Sequence, residues 1–182
     1  MSVGLAEDDT MCDVWRMTRS LRSFLVFASA MFVVACGGLD PEIVRPFSGL
    51  RGTITYVGGP AAWPTDTIYD LRVVAFEKKP TERNQVLLAL AAQTAAYSPV
   101  MLPVRVDSTP YVLEVLLTPR SFEYVVVAMQ NGPDFLKDWL MLDVYSKSGD
   151  PAVPTRIIVP SGGTVPVDFT VDFSNLPPQP FP

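Results

Sequence analysis

The chain has 182 residues, a formal net charge of −5, two cysteines and no histidine. An acidic balance lacks the basic excess that nucleic-acid binding favours, and the missing histidine excludes Ser/His/Asp and Cys/His catalysis and the commonest metal ligand. All 18 prolines lie after residue 36, more than twice the usual density, which argues against long helices.

Residues 1–15 carry Glu7, Asp8, Asp9 and Asp13. Acidic residues do not suit the region ahead of an export signal. Met17 begins a cleaner one, MTRSLRSFLVFASAMFVVAC, so residues 1–16 are expected to precede the true start, and Cys12 with them. Arg16, Arg19 and Arg22 lead into an apolar run over residues 24–35. A basic start, a short apolar centre and a small-residue end describe a cleaved signal peptide, here residues 1–35. The run falls short of the roughly 20 apolar residues of a membrane-spanning helix. Val33-Val34-Ala35-Cys36 resembles the lipobox of bacterial lipoproteins. The resemblance implies cleavage before Cys36, a diacylglycerol on its sulfur and an acyl chain, palmitate or similar, on its amine. Two or three chains hold a protein firmly, since each buried CH₂ contributes about 0.8 kcal/mol. Gly37 stands where an aspartate would resemble an inner-membrane retention signal. The expected location is therefore the cell envelope, lipid-anchored, at the outer membrane where the cell has two.

The mature chain from Cys36 has 147 residues, with eleven basic and fifteen acidic side chains. That is one domain by length. Cys36 is its only cysteine, so no internal disulfide forms. Residues 36–48, with Pro41 and Pro46, read as a tether.

Residues 51–57 (RGTITYV) predict a first strand with Ile54 and Tyr56 on one face, ended by Gly58-Gly59-Pro60. Residues 68–77 (IYDLRVVAFE) predict a second. Residues 84–97 (NQVLLALAAQTAAY) hold strong helix formers and predict one helix. Residues 102–106 predict a short strand. Residues 111–118 (YVLEVLLT) and 122–130 (FEYVVVAMQ) predict an antiparallel hairpin turning at Pro119. The second of these is apolar on both faces, as a covered strand is. Residues 134–142 predict a helical turn or a loop that brings Trp139 to the core. Residues 142–145 and 156–159 predict short strands. In the last strand Val165, Val167, Phe169, Val171 and Phe173 alternate with polar residues. Pro166 places its start at an edge or outside the ladder. Residues 175–182 (NLPPQPFP) read as a loose, extended tail.

Seven or so short strands with turn signals between them predict an all-β fold over residues 49–174: a single antiparallel β-sandwich with one short helix insertion. Gly52-Thr53-Ile54-Thr55, residues 71–76 and residues 117–124 resemble the transthyretin-like or carboxypeptidase-regulatory-like domains. An immunoglobulin-like sandwich fits the pattern as well. The family hairpin carries Pro-Gly-x-Tyr; here Arg120 stands for the glycine and Phe122 for the tyrosine. The hydrolases among those domains use histidines, so the resemblance implies no catalysis here.

Trp63 and Trp139, with Tyr69 and Tyr145, form a candidate aromatic platform for a carbohydrate or peptide; the alternative is that both tryptophans plug the core. Asp168 and Asp172 share a face but stand about 13 Å apart, too far for one calcium ion. Glu77 with Glu114 is a candidate carboxylate pair that nothing in the sequence brings together. No charge lies between Arg83 and Arg105. Residues 84–103 therefore either cover an open end of the core or meet a partner. The expectation is a non-catalytic envelope lipoprotein with no cofactor, acting in binding or assembly. Its expected contacts are the membrane, through Cys36, and an envelope protein or glycan.

Overall fold

The computed structural model describes residues 47–181; the targeting segment, Cys36 and most of the tether lie outside the described residues. The described residues form mostly strands, β1 to β10, with one short α-helix, α1, and a 3-10 turn at Gly59–Ala62. In chain order these are β1 (Gly49–Tyr56), β2 (Asp70–Phe76), α1 (Arg83–Ala91), β3 (Ala95–Tyr97), β4 (Ser108–Glu114) and β5 (Arg120–Phe122). They continue as β6 (Tyr124–Gln130), β7 (Trp139–Val144), β8 (Ile157–Val159), β9 (Thr164–Pro166) and β10 (Phe169–Val171).

In the first sheet β1 lies between β4 and the successive strands β9 and β10. The β4 pairing is antiparallel, and the β9 and β10 pairings are parallel. The second sheet has the order β3-β2-β6-β7 and is antiparallel throughout. β5 and β8 form a separate ribbon. The two large sheets share one core. Leu50, Ile54, Leu113 and Val171 of the first pack with Leu71, Val73, Val125 and Val127 of the second, all wholly buried. The alternation of β1, β2, β4 and β10 produces this directly, because residues two apart point to one face. The predicted inward set of the last strand holds: Val167, Phe169 and Val171 are buried, with Val165 and Phe173 packed beside them.

The last strand runs past β1 with one interruption, at Val167 and Asp168. Val167 N–H donates to the Arg51 carbonyl at 2.9 Å. The Asp168 carboxylate takes the Thr53 N–H at 2.8 Å, which the interrupted ladder leaves unpaired. Gly52 sits at the interruption, opposite Tyr111 of β4. A Cβ on Gly52 would stand 1.9 Å from the Val167 carbonyl oxygen. Tyr111 donates its hydroxyl to that same oxygen at 2.6 Å, so one side chain of β4 ties the strand on the far side of β1. Burial pushes the Tyr111 hydroxyl pKa well up, and the nearby Asp168 adds to the effect.

The sheets are also stitched at their edges. β7 carries a bulge: Val127 pairs Asp143 and Ala128 pairs Met141, leaving Leu142 extra. Such a bulge bends the strand and re-aims its side chains. Leu142 keeps its place in the shared core, and the Asp143 carboxylate accepts the Thr170 N–H of β10 at 3.0 Å.

Three local expectations are corrected. The hairpin of residues 111–118 with 122–130 does not form: β4 pairs β1, β6 pairs β2 and β7, and the chain crosses between sheets from residue 115 to 119. Strand β6 is buried on both faces, so it takes a central place that a two-stranded hairpin cannot offer. The helix stops at Ala91, where Gln93 turns with φ 56°, and residues 95–97 become β3. Residues 102–106 are irregular, although Leu102 is buried.

The junction at Gly52 has a measurable cost. Gly52→Ala forces its Cβ onto fixed backbone and is expected to destabilise by about 2–3 kcal/mol. Tyr111→Phe loses one hydrogen bond, about 1 kcal/mol. Urea midpoints should order as wild type, Tyr111→Phe, Gly52→Ala; an unchanged midpoint for Gly52→Ala contradicts the packing described.

Candidate functional site

The second sheet has an outer face, away from the shared core. Period-2 alternation puts Arg72, Val74 and Phe76 of β2 there, with Tyr124 and Val126 of β6 and Met141 of β7. Helix α1 lies on this face. Its Val86, Ala89 and Leu90 pack against a second apolar cluster that includes Phe76, Tyr124, Val126 and Met141. Within the uncharged segment, α1 thus covers the flank of the second sheet, whereas Leu102 near its far end joins the shared core. The helix covers that flank incompletely. None of the nine helix residues is fully buried, and Leu88 is 64% exposed.

Beside the helix the same face forms a cleft of about 380 Å³. Its floor includes Val74, Tyr124, Val126 and Met141; Leu87 and Leu90 form one wall. The opposite wall is the β6–β7 connection, with Phe135 and Leu136, and Trp139 at the start of β7; Pro180 and Phe181 of the tail also line the cleft. Phe135 and Leu136 are more than half exposed. The Asp134 carboxylate accepts the Leu136 N–H at 2.9 Å, Asp138 accepts the Asp134 N–H at 2.8 Å, and these bonds shape the connection. The Leu136 N–H and the neighbouring Lys137 hold the Asp134 carboxyl below its ordinary pKa. Arg83 at the start of α1 donates to the Lys137 carbonyl at 3.0 Å and joins the two walls. One end of the cleft is polar. There Arg72 clamps both Asp70 carboxylate oxygens at 2.8 and 2.9 Å and donates to the Ser98 carbonyl at 2.7 Å.

The predicted aromatic platform separates into two places. Trp63 is 5% exposed and sits in the shared core. Its ring centroid lies 4.4 Å from Tyr56 and 4.8 Å from Phe173, and its Nε1 donates to the Val106 carbonyl at 3.0 Å. Trp139 is half-buried in the cleft wall, edge-on to Phe135 at 5.8 Å, and donates to the Phe135 carbonyl at 2.8 Å. Tyr145 packs on Phe169 of the shared core, and Tyr69 is exposed. Only Trp139 of the four lines the cleft.

The carboxylates are likewise accounted for singly. Asp168 holds the Thr53 amide, and Asp172 accepts the Ser174 N–H and hydroxyl, which lower its pKa. Glu77 pairs with Arg120 at 2.6 Å, whereas Glu114 ends β4 in the other sheet. Arg120 also donates to the Gln93 carbonyl and so pins the turn after α1. Among the described residues no three carboxylate or cysteine side chains converge as a metal site. No helix among them is long and apolar enough to cross a membrane.

The sequence did carry a signal for the cleft. A strand apolar on both faces requires a cover on each side, and the helix predicted within the uncharged residues 84–103 could supply one. The walls from Phe135, Leu136 and Phe181 had no such signal, because single exposed apolar residues are ordinary. Comparison with family models, curated proteins and solved structures finds no match for this chain.

The cleft floor makes a pH prediction. Tyr124 donates to the Met141 sulfur at 2.8 Å, and burial pushes its pKa from 10.0 up to about 12. The folded state then keeps a proton that the unfolded state releases. Its contribution is full below about pH 10 and is lost as pH rises toward 12. Urea midpoints should fall between pH 10 and 12, and Tyr124→Phe should lessen that fall. An equal fall in the variant contradicts the assignment.

Proposed function

We propose that the chain is a bacterial envelope lipoprotein, anchored through acyl chains on Cys36. Behind the tether it presents a non-catalytic binding domain. We read that domain as a β-sandwich of the immunoglobulin-like or transthyretin-like kind. The sandwich reading is supported by the two sheets that share one core. The binding surface is the cleft on the outer face of the second sheet, and its occupant is an extended apolar segment of an envelope protein. One observation carries this reading: a cleft of about 380 Å³, walled by exposed Phe135 and Leu136 and floored by Val126 and Met141, beside the edge strand β7. That volume is in the range of ligand pockets. A partner strand beside an edge gains main-chain hydrogen bonds, and a neighbouring pocket supplies side-chain selectivity.

Three measurements test the proposal. Cys36→Ser should abolish labelling by a fatty-acid analogue and release the protein from membranes; unchanged labelling contradicts the anchor. A photo-reactive residue at Leu136 of the full-length chain, irradiated in cells, should cross-link to an extended stretch of an envelope protein identified by mass spectrometry. Cross-links to lipid alone contradict the reading. Glycan binding that Trp139→Ala abolishes would replace it with a carbohydrate-binding one.

A further inference from the structure

The expectation of a loose tail fails at one residue. Gln179 reaches strand β7, where its Oε1 accepts the Met141 N–H at 2.8 Å and its Nε2 donates to the Met141 carbonyl at 3.0 Å. One side-chain amide thus meets both main-chain groups of a single edge residue, as the backbone of an added strand would. β7 pairs with β6 on its inner side and ends the sheet. Such an edge is a template for another extended chain unless something covers it. Gln179 covers it at the point where the cleft opens, and Pro180 and Phe181 then line the cleft.

We propose that residues 177–181 are a displaceable strap, occupying in cis a site that takes an extended peptide segment rich in proline and carrying an aromatic side chain. The proposal rests on the reading of the cleft as a peptide site, and it names the class of peptide. Three features support it. Pro177, Pro178 and Pro180 hold the backbone extended before binding, so little freedom is lost on docking. The amide clamp is self-supporting, because Gln179 Nε2 also donates to the Pro177 carbonyl at 3.0 Å. The hold is light: none of residues 175–181 is fully buried, and Gln179 itself is exposed. A segment that fits the edge yet stays exposed can be exchanged for a partner of like chemistry. The tether of the strap raises its local concentration to about the millimolar range, so a partner must bind better than a free copy of the tail.

The test uses the full-length chain and a blocked synthetic peptide, NLPPQPF, equal to residues 175–181. Binding is read from Trp139 fluorescence and from the Met141 amide resonance. The peptide should bind Gln179→Ala at least tenfold more tightly than wild type, and the Met141 amide should shift. A peptide with alanine at the glutamine position should not bind. Phe181→Ala, which frees the cleft but keeps the clamp, should give an intermediate affinity. Equal affinity for wild type and Gln179→Ala overturns the strap, and so does no binding to a Gln179→Ala protein whose near-ultraviolet spectrum is native. If cross-links from Leu136 to an envelope protein persist after such a failure, the strap alone is rejected. If they are absent too, the peptide-site reading falls with it.

Discussion

Strand β6 has to be covered on both sides. Val125, Val127 and Met129 face one way and Tyr124 and Val126 the other, and all five are buried. Leaving such side chains in water costs about 1.5–3 kcal/mol each. The first sheet covers one face completely. The other has only α1, nine residues long, hence about 13 Å. The second sheet, with strands of up to seven residues, is about 23 Å long and four strands wide. A helix of that size cannot roof it. The β6–β7 connection and the tail make up part of the difference, and the remainder is the cleft. The site is thus a consequence of a two-faced strand with a full cover on one side and a partial cover on the other.

The full cover depends on how closely the first sheet is assembled. Its edge is a parallel strand in two pieces, which cannot come from a hairpin and must be brought in from far along the chain. Gly52 lets that strand approach, Asp168 takes the amide that the break leaves free, and Tyr111 reaches across β1 to hold it. Asp143 does similar work between the sheets, although burial raises its pKa and so makes its charge costly. The Tyr111 bond is buried within the first sheet, and the exposed Asp143 contact is the one of these that joins the two sheets. The apolar layer between them is made mostly of alternating strand side chains, with Trp63 and Leu102 added from connections.

Much of this was legible in the residues. The alternation of the last strand, the strands at β1 and β2 and the two-faced character of β6 all predicted burial that the structure bears out in kind. What escaped was partnership. Residues 111–118 and 122–130 are neighbours in sequence, and nearness suggested a hairpin, but each found a better-matched partner more distant in the chain. Helix propensity in residues 84–97 did not reveal that Gln93 would adopt a left-handed turn, pinned by Arg120 from another element. Trp63 and Trp139 look alike in sequence. Their fates differ because one follows a tight turn into the core and the other begins an edge strand. Gln179 gave no warning at all, since its role depends on the main chain of Met141, to which side-chain patterns are blind.

In the function we propose, the same partial cover creates the binding surface. An apolar cleft flanked by an edge strand joins two modes of recognition: side-chain burial and main-chain pairing. In the same proposal, a lipid anchor on Cys36 would hold that surface near an envelope partner without any need for high intrinsic affinity. The outer face of the second sheet is apolar and only partly covered in the folded protein, leaving the cleft. The most direct measurement is methyl NMR of the full-length chain under xenon, which enters apolar cavities. Methyl groups of Val74, Val126, Leu90 and Met141 should shift with xenon pressure, while those of Leu71, Val127 and Leu113 should stay still. Silence at the outer face, or shifts confined to the shared core, would contradict the account.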